Sequence, residues 1–443
     1  MPRRPGHPPL RVLLNNRLVG HLRKEASGAI TFLYDQSWLD WEHALPISLS
    51  MPLREDSFRG APVAAVFENL LPDSDAIRTR VAVKVGAAGA DAYSLLAAIG
   101  HDCVGALQFV TDDDEPYKGK PGTELSGETV DDAAIEKLLK GLVQAPLGLS
   151  RDDGFRISVA GAQEKTALLR YNDRWLKPHG ATPTTHILKP QIGALPNGID
   201  LSNSVENEFY CLRLAAAFGL PVNTASIMTF GETRALVIER FDRQWTRDGR
   251  LLRVPQEDCC QALSFPPTRK YQSDGGPDIK ALLNLLKGSD DPAADRAMLF
   301  KAQILFWLIG ATDGHAKNFS IFLGPGSRYR LTPLYDILTA QPSLDAGQIQ
   351  SKQMKLAMSV GNKNHYRIDK IAGRHFVQTG EAAGLAKSLI GECLETMIDG
   401  AGNALIQVEN QLPRGFPEAI HVSVKTAVAK RLETLKASVA ISG

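Results

Sequence analysis

The stretch Gly310–Leu323 reads GATDGHAKNFSIFL and follows directly on an apolar run, PAADRAMLFKAQILFWLI, at 292–309. Asp291 as N-cap, Pro292 in the first turn and Gly310 at the far end mark that run as a helix. It therefore delivers a short polar loop from an apolar support. Within the loop, Asp313 and Asn318 have the D-x-x-x-x-N spacing of a kinase catalytic loop, where the Asp receives a hydroxyl proton and the Asn holds a metal ion. Taken alone, Asp313-Gly314 is a turn and Asn318 a loop residue. Eighteen residues beyond Asn318, LTPLYDILTA (331–340) sets Asp336 among apolar residues on what reads as a strand. A carboxylate there is costly to bury unless it is paired or metal-bound. Mg²⁺ is the natural partner, because it takes one or two carboxylates together with phosphate oxygens. His315 and Lys317 can orient phosphate. A metal site built on His315 has no second His nearby in sequence to complete it.

A phosphoryl-transfer site also needs a cation for the nucleotide phosphates. In THILKPQ (185–191), Lys189 lies in an apolar, extended segment that Pro190 keeps extended. The following helix, SVENEFYCLRLAAAFG (204–219), places Val205, Phe209, Leu212 and Ala216 on one face with Glu208 beside it. Glu208 is thus a candidate partner for Lys189. Glu206 with Asn203 reads as a helix capping box. In ALVIERFDR (235–243), the backbone at Glu239, Arg240 and Phe241 leaves a strand and suits an adenine edge. The stretch SVAGAQEKTAL (158–168) brings Lys165 and Thr166 in the order of a Walker A loop. Glu164 and Val159, however, stand where that loop requires glycines, so it is not one.

The 443 residues allow two or three domains, and 44% apolar with 22% charged residues is ordinary globular composition. A net charge of +1 gives the whole chain no preference for nucleic acid or membrane. The first 24 residues carry Arg3, Arg4, Arg11, Arg17, Arg23 and Lys24 with no acid, an arm that is either solubilising or a contact for an anionic partner. Five cysteines without C-x-x-C spacing point to reduced thiols. With no signal peptide or membrane-length apolar run, the expectation is a cytoplasmic protein with no membrane partner. Strands are expected at LRVLLNN, RLVGHL and GAITFLY, with hairpin turns at Asn15-Asn16 and Ser27-Gly28, and again at GALQFV. Helices are expected around VAAVFENLLPD and DAIRTRVAVKV. Residues 111–134 are acidic, Gly/Pro-bearing and read as a linker. Short strands then run to about residue 240 (RISVAG, TALLRY, RWLKP, THILKP, ASIMTF, ALVIERF), and helices dominate from about 278.

These motifs together resemble the HipA family of bacterial serine/threonine kinase toxins. The matching residues are ISVAGAQEKTALL, HILKP, VIERFDR, PQEDCCQAL, KYQSDGG, DGHAKNFSIF and LYDILTA, in order over roughly residues 155–340. The resemblance implies an α+β fold: a two-lobed kinase-like domain at 149–443, strand-rich at 149–245 and mainly helical at 246–443. Before it would come a β-rich subdomain at 1–112 and an acidic linker with a helix at 113–148. It implies ATP and Mg²⁺, with Asp313 as catalytic base and Asn318 and Asp336 as metal ligands. Lys189 becomes the phosphate lysine. Glu239, Arg240 and Phe241 become the adenine hinge, and His315, Lys317 and Tyr335 further ATP contacts. In the family, the equivalent of Val159, Ala160, Gly161, Ala162, Gln163, Glu164 and Lys165 covers the ATP phosphates. The serine before it, here Ser158, is an autophosphorylation site that silences the kinase. The implied partners are a HipB-type helix-turn-helix antitoxin, operator DNA bound mainly through it, and a protein substrate, glutamyl-tRNA synthetase. The chain departs from ordinary eukaryotic kinases in lacking the His-Arg of HRD and the Phe-Gly of DFG. The alternatives are a small-molecule phosphotransferase of the same fold and a catalytically silent co-repressor.

Overall fold

The computed structural model describes residues 7–111, 125–150 and 154–439. Arg3 and Arg4 of the basic arm and the linker residues 112–124 lie outside that range. The chain forms two compact units. The first comprises residues 1–190, 228–268 and 320–329, the second residues 191–227, 269–319 and 330–443.

The first unit is built mainly on two larger sheets, besides shorter strand pairs. An antiparallel five-stranded sheet runs in the order Phe58–Arg59, Ile30–Tyr34, Arg17–Lys24, Leu10–Leu14, Leu107–Val110. Asn15 and Asn16 turn its first hairpin with φ of 45° and 68°, the doubly left-handed geometry of a tight two-residue turn that Asn tolerates. Alternate residues Leu10, Val12 and Leu14 face inward, where Phe32, Phe67 and Phe109 pack ring against ring. The helices Ala61–Glu68 and Asp75–Val85 form where their sequence patterns predict them.

The second sheet has six strands in the order Ala225–Phe230, Thr233–Glu239, His186–Pro190, Thr166–Tyr171, Arg174–Pro178, Gly127–Val130. The helix Asp132–Lys140, capped by Asp131, lays Ile135 and Leu139 on Leu168, Trp175, Leu188 and Val237. The strand Gly127–Val130 corrects the reading of that stretch as linker. Its side chains are half-buried or exposed, so it carries no hydrophobic period, and only its backbone pairing with Trp175–Pro178 makes it a strand.

A buried ion cluster ties the two sheets' connecting segments together. The Asp102 carboxylate accepts from Arg243 (2.8 Å), Arg253 (2.9 Å), Arg240 (3.3 Å) and the Thr184 hydroxyl (2.7 Å). Asp242 accepts from Arg240 (2.8 and 2.9 Å) and from the Gly105 amide (2.7 Å).

The second unit is mainly helical. The helix Pro292–Ile309 is capped by Asp291, whose side chain accepts from the Ala294 amide at 3.1 Å, and ends at Gly310 with φ 74°. It is apolar nearly all round from Leu299 onward and is buried accordingly, against Lys387–Glu409 on one side and Glu418–Val439 on another. Lys387–Glu409 also packs on Ser204–Ala217. Among the described residues, no helix is long and apolar enough to cross a membrane.

Candidate active site

The loop after Pro292–Ile309 folds back on the helix that delivers it. Gly310 takes the left-handed conformation and the Ala311 amide reaches the Phe306 carbonyl at 2.8 Å, closing the last turn. At Gly314 the chain lies so near Phe306 that a Cβ would sit 2.4 Å from its ring. Glycine is therefore required between Asp313 and His315. We expect Gly314→Ala to destabilise the second unit by about 1–3 kcal/mol through overpacking. The displaced loop should also slow phosphoryl transfer at least ~10-fold, since catalysis is sensitive to small misplacements. A melting curve and a kinase assay on the same preparation check both.

Asp313 is the exposed member of the loop, its side chain 57% accessible, whereas His315, Lys317 and Asn318 are buried. The Tyr271 hydroxyl donates to Asp313 Oδ1, and His315 Nε2 lies 3.9 Å from the same oxygen. The Asp313 carbonyl accepts from the His315 amide and from Asn318 Nδ2, both at 2.8 Å. Asn318 Nδ2 also donates to the Asp336 carbonyl at 3.4 Å. With the amide nitrogen engaged by two carbonyls, the orientation of the group is settled and its oxygen faces away from them. Tyr335 braces the loop from its other end, donating to the Lys317 carbonyl at 2.9 Å.

Asp336 is half-buried but not on a strand, which corrects the sequence expectation. Its φ is 58°, a left-handed value that Asp and Asn adopt more readily than most residues. The apolar run around it is pinned at both ends instead. Leu334 exchanges backbone bonds with Pro221 and Asn223, and the Asn207 side chain pairs with both backbone groups of Thr339 at 2.8 and 2.9 Å. The chain turns sharply between these clamps at Asp336. Asn318 and Asp336 together offer hard oxygen donors of the kind a small divalent cation takes.

On Ser204–Ala217, Glu206 and Glu208 are both buried. Asn203 makes no capping bond, so the expected capping box is absent. Gln191 substitutes for it: its Oε1 accepts from the Val205 amide at 2.9 Å, and its Nε2 donates to Glu206 at 2.7 Å.

The first unit holds the remaining predicted positions. Lys189 is buried in a central strand, opposite Leu236. In the loop from Ser158 to Lys165, Ser158 is fully buried and its hydroxyl donates to the Leu70 carbonyl at 2.7 Å. Val159 is also buried, Ala162 is the exposed tip, and Gln163 donates to the Pro190 carbonyl at 3.3 Å. Lys165 Nζ reaches back to the Ala160 carbonyl at 2.8 Å across Gly161, whose φ is 110°. Glu164, the residue that excludes a Walker A reading, is paired with Arg80 at 2.7 Å.

At the strand exit Glu239 is exposed, and Phe241 is half-buried with its ring edge-on to Phe322 at 5.6 Å. Arg240 is buried within the ion cluster, and its amide donates to the Thr185 carbonyl at 2.9 Å. Its side chain anchors the strand exit. Burial alone would raise the Asp102 carboxyl, but the guanidiniums of Arg243, Arg253 and Arg240 hold it far below the ordinary carboxylate range. The sequence reading also missed Tyr271, Arg80 and Gln191 as contributors. Only Tyr271 carried a signal, through its place in the KYQSDGG motif.

The family model described as the HipA-like C-terminal domain matches residues 157–405, and that of the HipA N-terminal domain matches residues 10–110. The protein Y4mE of Sinorhizobium fredii is 35% identical over 405 residues, covering 90% of this chain and 91% of the relative. The chain belongs to the HipA family. The serine/threonine-protein kinase toxin HipA of Shewanella oneidensis is 27% identical over 417 residues, 91% of this chain and 90% of that one. In the solved structure of the Shewanella HipA, HipB and operator DNA complex, one chain shares the fold at TM-score 0.79 and 24% identity, over 97% of both chains. This HipA-family chain is accordingly a serine/threonine protein kinase with ATP as phosphoryl donor, and its α+β architecture with an N-terminal β-rich part is the expected one.

Proposed function

We propose that this kinase is the toxin of a toxin–antitoxin pair, phosphorylates a protein hydroxyl in the cytoplasm with Asp313 as base, and silences itself by phosphorylation at Ser158. The observation that carries the reading is the Asn318 amide, which binds the backbones of Asp313 and Asp336 at once and so fixes base and second carboxylate in one assembly. The substrate hydroxyl gives its proton to the Asp313 carboxylate while its oxygen attacks the γ-phosphorus and the bond to ADP breaks. Mg²⁺ would be held by Asn318 and Asp336, whose oxygen donors suit it, and would neutralise charge on the phosphates. Lys189, with His315 and Lys317, would supply the cationic contacts to ATP, and the strand exit at Glu239–Phe241 the adenine contacts.

The Ser158 environment supports the self-silencing step. A neutral hydroxyl fits its buried slot against Leu70, but a phosphate dianion there would be desolvated beside a carbonyl. Phosphorylation therefore requires the loop to leave and prevents its return. By analogy with the Shewanella complex, the proposed partners are a HipB-type antitoxin and, through it, operator DNA. The proposed target is glutamyl-tRNA synthetase.

The test is peptide mass spectrometry of the dephosphorylated chain before and after incubation with Mg²⁺ and ATP, beside Asp313→Ala. We expect a phosphoryl group on Ser158 in the parent and none in the variant. Labelling elsewhere would remove the Ser158 step. Equal labelling of the variant would remove Asp313 as base.

A further inference from the structure

The KYQSDGG stretch (270–276), which brings Tyr271 to Asp313, is built to place that one side chain. Its turn is closed by Asp274 and Gly276 amides that both donate to the Tyr271 carbonyl, at 3.1 and 3.0 Å. Gly275 is left-handed with φ 79°. At Gly276 a Cβ would lie 2.0 Å from the Arg269 carbonyl, so nothing larger than glycine closes the turn. Gln272 anchors the segment to the strand Lys355–Val360, accepting from the Ser359 amide at 2.7 Å. The Tyr271 ring then stands edge-on to the buried His315 ring, with centroids 4.9 Å apart and planes at 87°. The hydroxyl at the end of this support meets Asp313 Oδ1.

Resting on the reading of Asp313 as base, we propose that Tyr271 is a positioning residue for it: the phenol holds one carboxylate oxygen so that the other meets the substrate hydroxyl. An exposed Asp on a loop samples several rotamers, and a general base must keep its oxygen within hydrogen-bond reach of the proton it takes. The backbone turn, the Gln272 anchor and the ring contact all survive removal of the hydroxyl. The loop therefore does not need the O–H for its own closure, whereas the base does.

The experiment is Tyr271→Phe, which keeps the ring and deletes the O–H. Rates are read as incorporation from γ-labelled ATP into the purified chain and into proteins of a bacterial extract. We expect kcat to fall ~10-fold, as for loss of orientation at a catalytic group, with KM for ATP and the melting temperature unchanged. A double variant separates positioning from general support. In an Asp313→Ala background, Tyr271→Phe should have no further effect, because the group it orients is gone. An unchanged or raised kcat in Tyr271→Phe alongside an inactive Asp313→Ala overturns the proposal and leaves the base reading standing. A further loss in the double variant equal to that of the single one also overturns it. If Asp313→Ala retains parental activity, both readings fall together.

Discussion

Asp336→Asn should lower kcat by about 10³-fold, the equivalent of roughly 4 kcal/mol of lost transition-state stabilisation, without lowering the melting temperature. The conformation at this position makes the substitution informative. Asp336 has φ 58°, and Asn enters the left-handed region at least as readily as Asp, so the turn between the Leu334 and Thr339 clamps is kept. Side-chain shape is kept as well. What disappears is one negative charge, and with it the carboxylate that Asp336 would offer a magnesium ion in the proposed site. A kinase assay over a magnesium titration, with circular-dichroism melting on the same material, decides the matter. Activity within about tenfold of the parent at ordinary magnesium would mean that Asp336 is not a metal ligand, and the proposed assembly with Asn318 would have to be redrawn.

What could be read beforehand divides by the range of the interaction. The helix Pro292–Ile309 is specified within its own span by Asp291, Pro292 and Gly310, and it forms there. The Asn15-Asn16 turn and the six expected strands among those from Ile157 to Glu239 are equally local. The spacing of Asp313 and Asn318 is a property of one loop, so the structure could bring them together without any distant instruction. The features that escaped are long-range. Tyr271 and Asp313 are 42 residues apart, and Arg80 and Glu164 are 84 apart. Asp336 looked like a strand residue because apolar runs and strands share a pattern. Only the clamps supplied by Asn207 and Pro221, from another part of the chain, force the turn. The helix at Ser204 looked self-capped by Asn203, but Gln191 reached it first from outside the helix. Local chemistry thus predicted most of the elements and the loop that carries the proposed base, and tertiary contacts decided the environment of each.

Asp102 is the position where such a tertiary contact should have its largest effect on stability. Among the five charged groups of its cluster, three are arginines (Arg240, Arg243, Arg253) and two are carboxylates (Asp102 and Asp242), which leaves one surplus positive charge. Asp102→Asn raises the surplus to two inside a region that excludes water, with almost no change in volume. Removing one member of a buried ion pair typically costs about 3–5 kcal/mol, because the partner charge stays buried. For a unit of this size that corresponds to a fall in melting temperature of about 6–20 °C. The pH dependence supplies an independent check. The folded carboxyl is held far below its unfolded value by the three guanidiniums, although burial alone would raise it, so the stabilisation is fully present above the unfolded carboxylate pKa of about 4. It is lost as pH falls from there towards the folded value. The gap in melting temperature between parent and variant should therefore be constant from neutrality down to about pH 5 and narrow below about pH 4. A functional consequence follows from where the arginines sit. Arg240 and Arg243 flank Phe241 at the exit of the strand Thr233–Glu239, so a loosened cluster frees the backbone that the proposed function assigns to adenine. KM for ATP should rise in Asp102→Asn while kcat at saturating ATP changes little, because Asp313, Asn318 and Asp336 belong to the other unit. A variant that melts like the parent would show that the guanidiniums are satisfied without Asp102. A variant that melts early but keeps its KM would show that the cluster serves the fold alone.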